Sequence, residues 1–320
     1  MLTWWNDYWF PLSSTLNLAG ARIVALAFGL VVSFPSLSYN ITLAVNNSTF
    51  SDPQPMIRLI DAVVPRDALF TASGLTTVYW ISMAAGVMAL VGIFTRPALF
   101  AFALGFTFFV SHVYSYADVH HREALLAFFL FALALAPAGD SLSVDAFLRR
   151  RRARARGQVV EEVRQVDTAM WPLKFIHVLL AITYFSTGIT KVIAGGLQWM
   201  NGYTLQNYIF ITAINRSIPL GLWLSHHFTL CVLLSVATLL FEVFFFVSLF
   251  LPRVAPLFFV GGILFHVSLY LTAGHPFFEH ILLNTILLLF LDRDWFPVQV
   301  GRMTSLISRR LGREPARLPA

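Results

Sequence analysis

The chain has 320 residues, of which 58% are hydrophobic and 12% are charged, with a formal net charge of +6. This composition excludes an ordinary soluble domain and indicates that most of the chain lies in a bilayer. A backbone in hydrocarbon must satisfy its own hydrogen bonds, and the apolar runs are continuous rather than alternating. We therefore predict an all-α fold, a polytopic transmembrane helical bundle.

Eight candidate spans follow from the need for about 20 apolar residues to cross the hydrocarbon core. In chain order they cover residues 16–34, 71–94, 98–116, 123–138, 171–193, 228–251, 255–273 and 278–291. The fourth and eighth are short, so a total of seven or nine spans stays open. Two long segments between spans, 35–70 and 194–227, are expected to be outer loops that shape an entrance.

Basic residues set the predicted orientation. With the N-terminus inside, 16 lysines and arginines lie in inner segments and 4 in outer segments, which predicts that both termini are cytoplasmic. The arginine-rich run at 149–156 then acts as a topology determinant that contacts anionic membrane lipid, and no nucleic-acid partner is expected. We expect a multi-pass protein of the cell inner (plasma) membrane with a basic cytoplasmic tail at 298–320.

Polar residues in and beside the spans supply the functional signal. Lys191 ends an apolar run and has no neutralising neighbour in the sequence, which is costly in a membrane unless the amine is paired, at the interface or neutral. The predicted topology places further titratable groups in the same outer half, namely His120, His121, Arg122, Glu123, His266, His275, Glu279 and His280. Such convergence beside an apolar core predicts a site for acid–base chemistry.

Each of these residues also has a purely structural interpretation. Lys191 could extend to the lipid headgroups, and His120, His121 and Arg122 could belong to a hydrated loop. His266 could be a core histidine that is hydrogen-bonded to a neighbouring helix.

Glu242 lies in the middle of an apolar span, so it must be neutral or have a partner. Arg22 in the first span is the candidate partner on charge, and we expect such a pair to be structural. The adjacent histidine pairs lack the one-face spacing of metal ligands, so no metal site is predicted.

A resemblance to a known family rests on residues 184–191, Tyr-Phe-Ser-Thr-Gly-Ile-Thr-Lys, followed by Trp199 and Gly202-Tyr203. This segment resembles the part of vitamin K-dependent gamma-carboxylases that contains their catalytic-base lysine. Shorter matches continue in order from Leu18-Ala19-Gly20-Ala21-Arg22-Ile23 to Asp294-Trp295. Together they resemble the wider HTTM superfamily, which joins bacterial membrane proteins to the carboxylases, and they place its transmembrane domain at residues 1–297.

The resemblance implies a chemistry and roles for individual residues. In the carboxylases, a neutral lysine amine deprotonates a reduced vitamin K-type or menaquinol-type quinol, which reacts with O2 and then drives capture of CO2 by a peptide glutamate. Lys191 matches that general base. Its partner, expected to orient the quinol oxygen, is His121, with His120 next, and Arg122 stays open because counting back from Ser143 places it nearer the histidine of the family. The substrate-binding residues expected from the match and from the outer polar groups are Arg122, Trp199, Tyr203, His266 and His275.

One departure from the carboxylases widens the range of functions. We expect no large extramembrane domain after the bundle, and the length resembles the branch exemplified by the sporulation-delaying protein SdpB, which is associated with maturing a secreted peptide. Three classes therefore stay open: a quinol-dependent carboxylase or epoxidase, a membrane protein that matures or exports a secreted peptide, and a non-catalytic membrane scaffold.

Overall fold

The computed structural model describes residues 2–46, 51–116, 121–159 and 164–310. Among them the secondary structure is almost entirely helical, which confirms the predicted all-α bundle. The α-helices are α1 Leu2–Trp9, α2 Thr15–Phe28, α3 Leu37–Asn46, α4 Pro55–Asp61, α5 Arg66–Leu69, α6 Ala72–Val91, α7 Thr95–Tyr114, α8 His121–Leu135, α9 Val144–Ala155, α10 Trp171–Gly195, α11 Tyr203–Arg216, α12 Pro219–Ser225, α13 Phe228–Phe244, α14 Ala255–Ala273, α15 Phe278–Phe290 and α16 Trp295–Arg310. Two-residue strands, β1 Ser13–Ser14 and β2 Gln165–Val166, pair antiparallel.

Six helical segments of the described chain are long and apolar enough to cross a membrane: Thr15–Ser33, Ala72–Val91, Thr95–Tyr114, Asp167–Asn201, Phe228–Leu249 and Ala255–Ala273. They coincide with six of the eight predicted spans. The other two predicted spans correspond to the shorter helices α8, of 15 residues, and α15, of 13 residues. The chain is a multi-pass membrane protein.

The two segments expected to be loops contain helices instead, which corrects that prediction. Residues 35–70 include α3, α4 and α5, and residues 194–227 include α11, α12 and a 3₁₀ turn, Gly196–Asn201. Proline explains part of the error, because Pro55 and Pro219 occupy the first turns of α4 and α12. At that position proline costs no hydrogen bond and favours the helix, so it starts a helix where we expected an irregular loop.

The described chain divides into two compact units, Met1–Lys174 with Leu289–Ala320 (unit 1) and Phe175–Leu288 (unit 2). In unit 1, α6 and α7 are joined by a tight turn in which Gly92 and Phe94 have positive φ angles of 79° and 47°. Gly92 is required there because a Cβ would lie 2.2 Å from the Cβ of Ser143. The close approach brings the start of α9 against this turn.

Asp145 of α9 caps the start of α7 in unit 1. Its carboxylate accepts hydrogen bonds from the backbone N–H groups of Phe94 (3.1 Å) and Thr95 (2.7 Å), and from the Thr95 hydroxyl (2.7 Å). Burial favours the protonated acid, but these hydrogen bonds outweigh it and hold the pKa of Asp145 below its ordinary value. The carboxylate also complements the positive end of the α7 dipole.

In unit 2, the core helices each bury one stripe of side chains. On α10 the buried residues include Leu180, Ala181, Tyr184 and Gly188, and the spacing of three and four residues continues to Lys191. On α13 the buried positions are Cys231, Ser235, Leu239 and Glu242. On α14 they are Ala255, Phe259, Gly262, His266 and Ala273. Polar side chains therefore lie within otherwise apolar buried stripes.

Candidate functional site

Lys191 is paired with Glu242 in the interior of unit 2. Nζ of Lys191 lies 2.5 Å from each of the two carboxylate oxygens of Glu242. The Lys191 side chain is 23% exposed, whereas that of Glu242 is only 5% exposed. The contact provides a hydrogen-bond partner for both oxygens of the Glu242 carboxylate, while the Lys191 side chain stays partly accessible from outside the protein.

The close approach of α10 and α13 depends on Gly188. Gly188 is one turn before Lys191, and a Cβ at this position would lie 2.9 Å from the Cβ of Glu242 and from the backbone nitrogen of Val243. A backbone atom cannot swing aside as a flexible side chain can, so only glycine allows this approach. The absence of a side chain at 188 thus lets the Glu242 carboxyl reach the Lys191 amine.

Trp199 lies beside the same amine. Nζ of Lys191 is 5.4 Å from the centroid of the Trp199 ring, which is within the range of a cation–π contact. Trp199 belongs to the 3₁₀ turn that follows α10, and its side chain is partly exposed. Tyr203, predicted with it, is exposed and packs on Phe228 of α13, with a centroid distance of 4.7 Å.

Tyr184 is the centre of a second polar cluster in unit 2, two turns before Lys191 on the same face of α10. Its hydroxyl oxygen is 2.9 Å from Nε2 of His266 and 3.0 Å from Nδ2 of Asn284. The Asn284 nitrogen can only donate, and it also donates to the carbonyl of His280 at 2.8 Å. The bond between Tyr184 and His266 can run in either direction, because the His266 tautomer decides which of the two groups donates.

A glutamate and a histidine of α15 are also buried in unit 2. Glu279 and His280 are both buried, and the His280 ring centroid is 4.6 Å from that of His266 and 6.2 Å from that of Tyr184. His266 and His280, which the sequence analysis placed in the same outer half of the membrane, are therefore neighbours in unit 2. In this region His266 is bonded to Tyr184, so it is hydrogen-bonded to a neighbouring helix, as in its structural interpretation.

His275 lies at the turn between α14 and α15. Its Nε2 is 2.5 Å from the hydroxyl oxygen of Tyr208, and the two rings are stacked at 15° with centroids 5.7 Å apart. Burial raises the pKa of Tyr208, and the nearby Arg216 opposes that shift. The pair fixes α11 to the turn, and a substrate-binding role for His275 stays a prediction.

The predicted partners of Lys191 on the fourth span belong to unit 1. His120 lies outside the described residues, and His121 is described only as the first residue of α8. Nε of Arg122 lies 2.5 Å from Oε1 of Glu123, whose other oxygen accepts a hydrogen bond of 2.8 Å from the Tyr114 hydroxyl. Roles for His120, His121 and Arg122 in binding or catalysis stay predictions.

Arg22 has a structural role in unit 1, but the expected Arg22–Glu242 pair is wrong. The fully buried guanidinium donates to the carbonyl oxygens of Ala138 (2.9 Å) and Leu142 (2.6 Å), in the segment between α8 and α9. Glu242 pairs with Lys191 instead. From the sequence, the charge and the predicted depth of Arg22 made it the candidate partner of Glu242. The actual partner depends on which helices approach each other, and the sequence does not show this.

A match to a known protein family spans most of the chain. A family model described as HTTM domain matches residues 15–295. The chain belongs to the HTTM family. No curated protein and no solved structure matches it. Every polar contact described above for unit 2 falls within the matched HTTM region.

Two residues of this HTTM site were missed by sequence reasoning. Tyr184 was part of the quoted motif without a role, and Asn284 was not singled out at all. A usable signal existed for both: Tyr184 precedes Lys191 by seven residues, which places them on one helix face, and Asn284 is a polar residue in an apolar run. Neither signal identifies their mutual contact.

The arrangement suits proton transfer. An amine and a carboxyl group in direct contact can exchange one proton without changing the net charge of the pair. In an apolar interior this exchange interconverts an ion pair and a neutral pair. Lys191 and Glu242 are therefore two ionisable groups in direct contact within the matched HTTM region.

Proposed function

We propose that this HTTM membrane protein removes a proton from a lipid-soluble quinol with the Lys191 amine. The observation that supports this most is the position of Nζ between both carboxylate oxygens of Glu242 at 2.5 Å. A general base must be neutral before it accepts a proton, and the Glu242 carboxylate is a proton acceptor in direct contact with the ammonium.

The proposed step moves one proton in each of two transfers. First, the Lys191 ammonium gives a proton to the Glu242 carboxylate, which leaves a neutral amine beside a carboxylic acid. The amine nitrogen then accepts the hydroxyl proton of the quinol, which becomes a quinolate anion beside the new ammonium. The positive charge on Lys191 stabilises the anion electrostatically in surroundings of low dielectric constant.

Trp199 supports a quinol as the substrate class. Its ring is flat, partly exposed and 5.4 Å from the amine, so an aromatic quinol ring could stack there with its hydroxyl group directed at Nζ. A lipid-soluble substrate also suits a site in a membrane-spanning region, because the substrate reaches it from the bilayer. Tyr203 and His275 remain candidates for further contacts with the substrate.

The reactions that follow deprotonation come from the family resemblance. We propose that a vitamin K-type or menaquinol-type quinol is oxygenated by O2 after its deprotonation, as in the carboxylases. Capture of CO2 by a glutamate of a secreted peptide would be the corresponding second reaction, and His121 would orient the quinol oxygen.

The experiment measures quinol-dependent O2 uptake and epoxide formation by purified protein supplied with reduced naphthoquinones of different tail length. We expect turnover by the wild type and none by Lys191→Ala. Lys174→Ala is the matched control, since Lys174 is the other lysine of the chain and donates to the carbonyl of Tyr8 instead of a carboxylate. Absence of turnover by the wild type with every quinol, or equal turnover by both variants, would contradict the proposal.

A further inference from the structure

Unit 1 contains a cavity that is independent of the Lys191 site. Its volume is about 250 Å³, and it lies between the residues that precede α2 and the start of α16. The walls include Leu12, Ser13, Ser14, Gln165, Arg293 and Asp294. Pockets for drug-sized ligands are typically about 300–1,000 Å³, so this cavity is suited to a smaller group.

Hydrogen bonds from the side chains of Asn17 and Asp292 to backbone groups hold the walls of the cavity in place. Nδ2 of the buried Asn17 donates to the carbonyl oxygens of Phe290 (2.9 Å) and Asp292 (2.7 Å). Oδ1 of Asp292 in turn accepts from the backbone N–H groups of Asp294 (2.9 Å) and Trp295 (3.0 Å). The segment that carries Arg293 and Asp294 is therefore preorganised against the start of α2.

A buried hydroxyl group in the wall of this cavity lacks a partner. Ser13 is 2% exposed, and its Oγ makes no hydrogen bond to any described residue. A buried polar group without a partner destabilises the fold. Oγ of the neighbouring Ser14 accepts from the N–H of Leu16, and its own hydrogen remains available to donate.

Two opposite charges lie side by side at the cavity. Arg293 and Asp294 are exposed, and neither side chain forms an ion pair within the described part of the chain. A guanidinium group matches the geometry of a phosphate, and a carboxylate binds an ammonium group. Serine hydroxyl groups and the positive end of the α2 dipole favour the phosphate on the Ser13 side.

Aromatic residues indicate the depth of this cavity in the membrane. Trp5 on α1 and Trp295 at the start of α16 are both largely exposed. Exposed tryptophans are enriched at the level of the lipid headgroups, where their rings contact both apolar and polar surroundings. Trp295 directly follows Arg293 and Asp294 in the sequence, and an exposed tryptophan there suits a cavity at the level of the headgroups.

We infer that this cavity binds a phosphoethanolamine group, with the phosphate at Arg293 and the serine hydroxyls and the ammonium at Asp294. This chemistry has two sources, the headgroup of phosphatidylethanolamine and soluble phosphoethanolamine. The depth of the cavity favours the lipid headgroup.

The experiment titrates purified full-length protein in detergent with phosphatidylethanolamine or phosphatidylglycerol and counts bound lipid by native mass spectrometry. Arg293→Ala should weaken binding of phosphatidylethanolamine at least fivefold, and Ser13→Ala should weaken it less. Asp294→Asn should remove the preference for phosphatidylethanolamine over phosphatidylglycerol, which has no ammonium group. Arg302→Ala, an exposed arginine of α16 outside the cavity wall, is the matched control and should bind as the wild type does.

Soluble phosphoethanolamine is added as a competitor in a second series. Competition that depends on Arg293 shows that the phosphoethanolamine group alone is sufficient for binding. Lipid binding that depends on Arg293 without competition shows that the rest of the lipid is also needed; both results support the inference. If Arg293→Ala and Asp294→Asn bind both lipids as Arg302→Ala does, the inference is wrong. Binding at the level of the control also shows that both variants are folded, so this outcome cannot be attributed to misfolding.

Discussion

The pairing of Lys191 with Glu242 predicts an asymmetric effect on stability when one partner is removed. We consider Lys191→Met, Glu242→Gln and the double variant Lys191→Met/Glu242→Met. The Glu242 side chain is 5% exposed and that of Lys191 is 23% exposed, so the two single changes leave their remaining partners in different surroundings.

Lys191→Met leaves an unpaired carboxyl group in the apolar interior. Breaking a buried pair in this way costs about 3–5 kcal/mol, and membrane-insertion scales give about 2.5–3.5 kcal/mol for a charged residue at the centre of a span. We therefore expect the free energy of unfolding to fall by about 3 kcal/mol. Glu242→Gln should cost about 1.5 kcal/mol, the lower value for a lost hydrogen bond to a charged group, because the amine can extend toward the headgroups.

The double variant replaces both charged groups with apolar side chains, and such replacements of buried pairs are often neutral in stability. Its unfolding free energy should lie within about 1 kcal/mol of the wild-type value. The assay is unfolding of the detergent-solubilised protein by increasing sodium dodecyl sulfate, followed by tryptophan fluorescence. If both single variants lose less than about 0.5 kcal/mol, the pair behaves as an exposed one and the reasoning is refuted.

The remaining predictions concern three other positions. Gly188→Ala should separate α10 from α13, with a loss of about 1–3 kcal/mol and of quinol turnover, whereas Gly157→Ala, where the added Cβ meets nothing within 4 Å, reports the strain of a positive φ alone. Tyr184→Phe leaves the buried Asn284 amide short of a partner and should cost about 1–3 kcal/mol in the same unfolding assay. Asp145 has a folded-state pKa below its unfolded value, so its stabilisation is complete above about pH 3.9 and is lost as the pH falls through the folded pKa. Asp145→Asn should remove this acid-dependent part of the unfolding free energy; an unchanged pH profile would argue against the cap.

Sequence reasoning identified the spans and the unusual charges, because both depend on local composition. Glu242 and Lys191 were each recognised as costly in an apolar run. Their contact was not predicted, because it depends on how closely α10 and α13 approach, and this distance is set by Gly188. The partner predicted for Arg22 was also wrong. Its actual partners are backbone carbonyl groups, which have no signature in the sequence.

The helices between the spans were missed for a different reason. Segments 35–70 and 194–227 were expected to be loops because they interrupt the apolar pattern, but Pro55 and Pro219 each lie in the first turn of a short helix. The hydrogen bond between Tyr184 and Asn284 joins residues 100 positions apart, and no pattern within one helix encodes it. Local periodicity therefore predicted the membrane-spanning helices, whereas the contacts that form the site depend on the tertiary structure.

The most direct test of the proposed function is the variant Lys191→Arg. Arginine keeps the positive charge and can form a bidentate pair with Glu242, but it is not deprotonated in proteins and cannot act as a base. Our account predicts that Lys191→Arg unfolds within about 1 kcal/mol of the wild type and shows no quinol-dependent O2 uptake. Turnover at the wild-type rate by a folded Lys191→Arg protein would show that the charge alone matters, and it would contradict a role for Lys191 as the base.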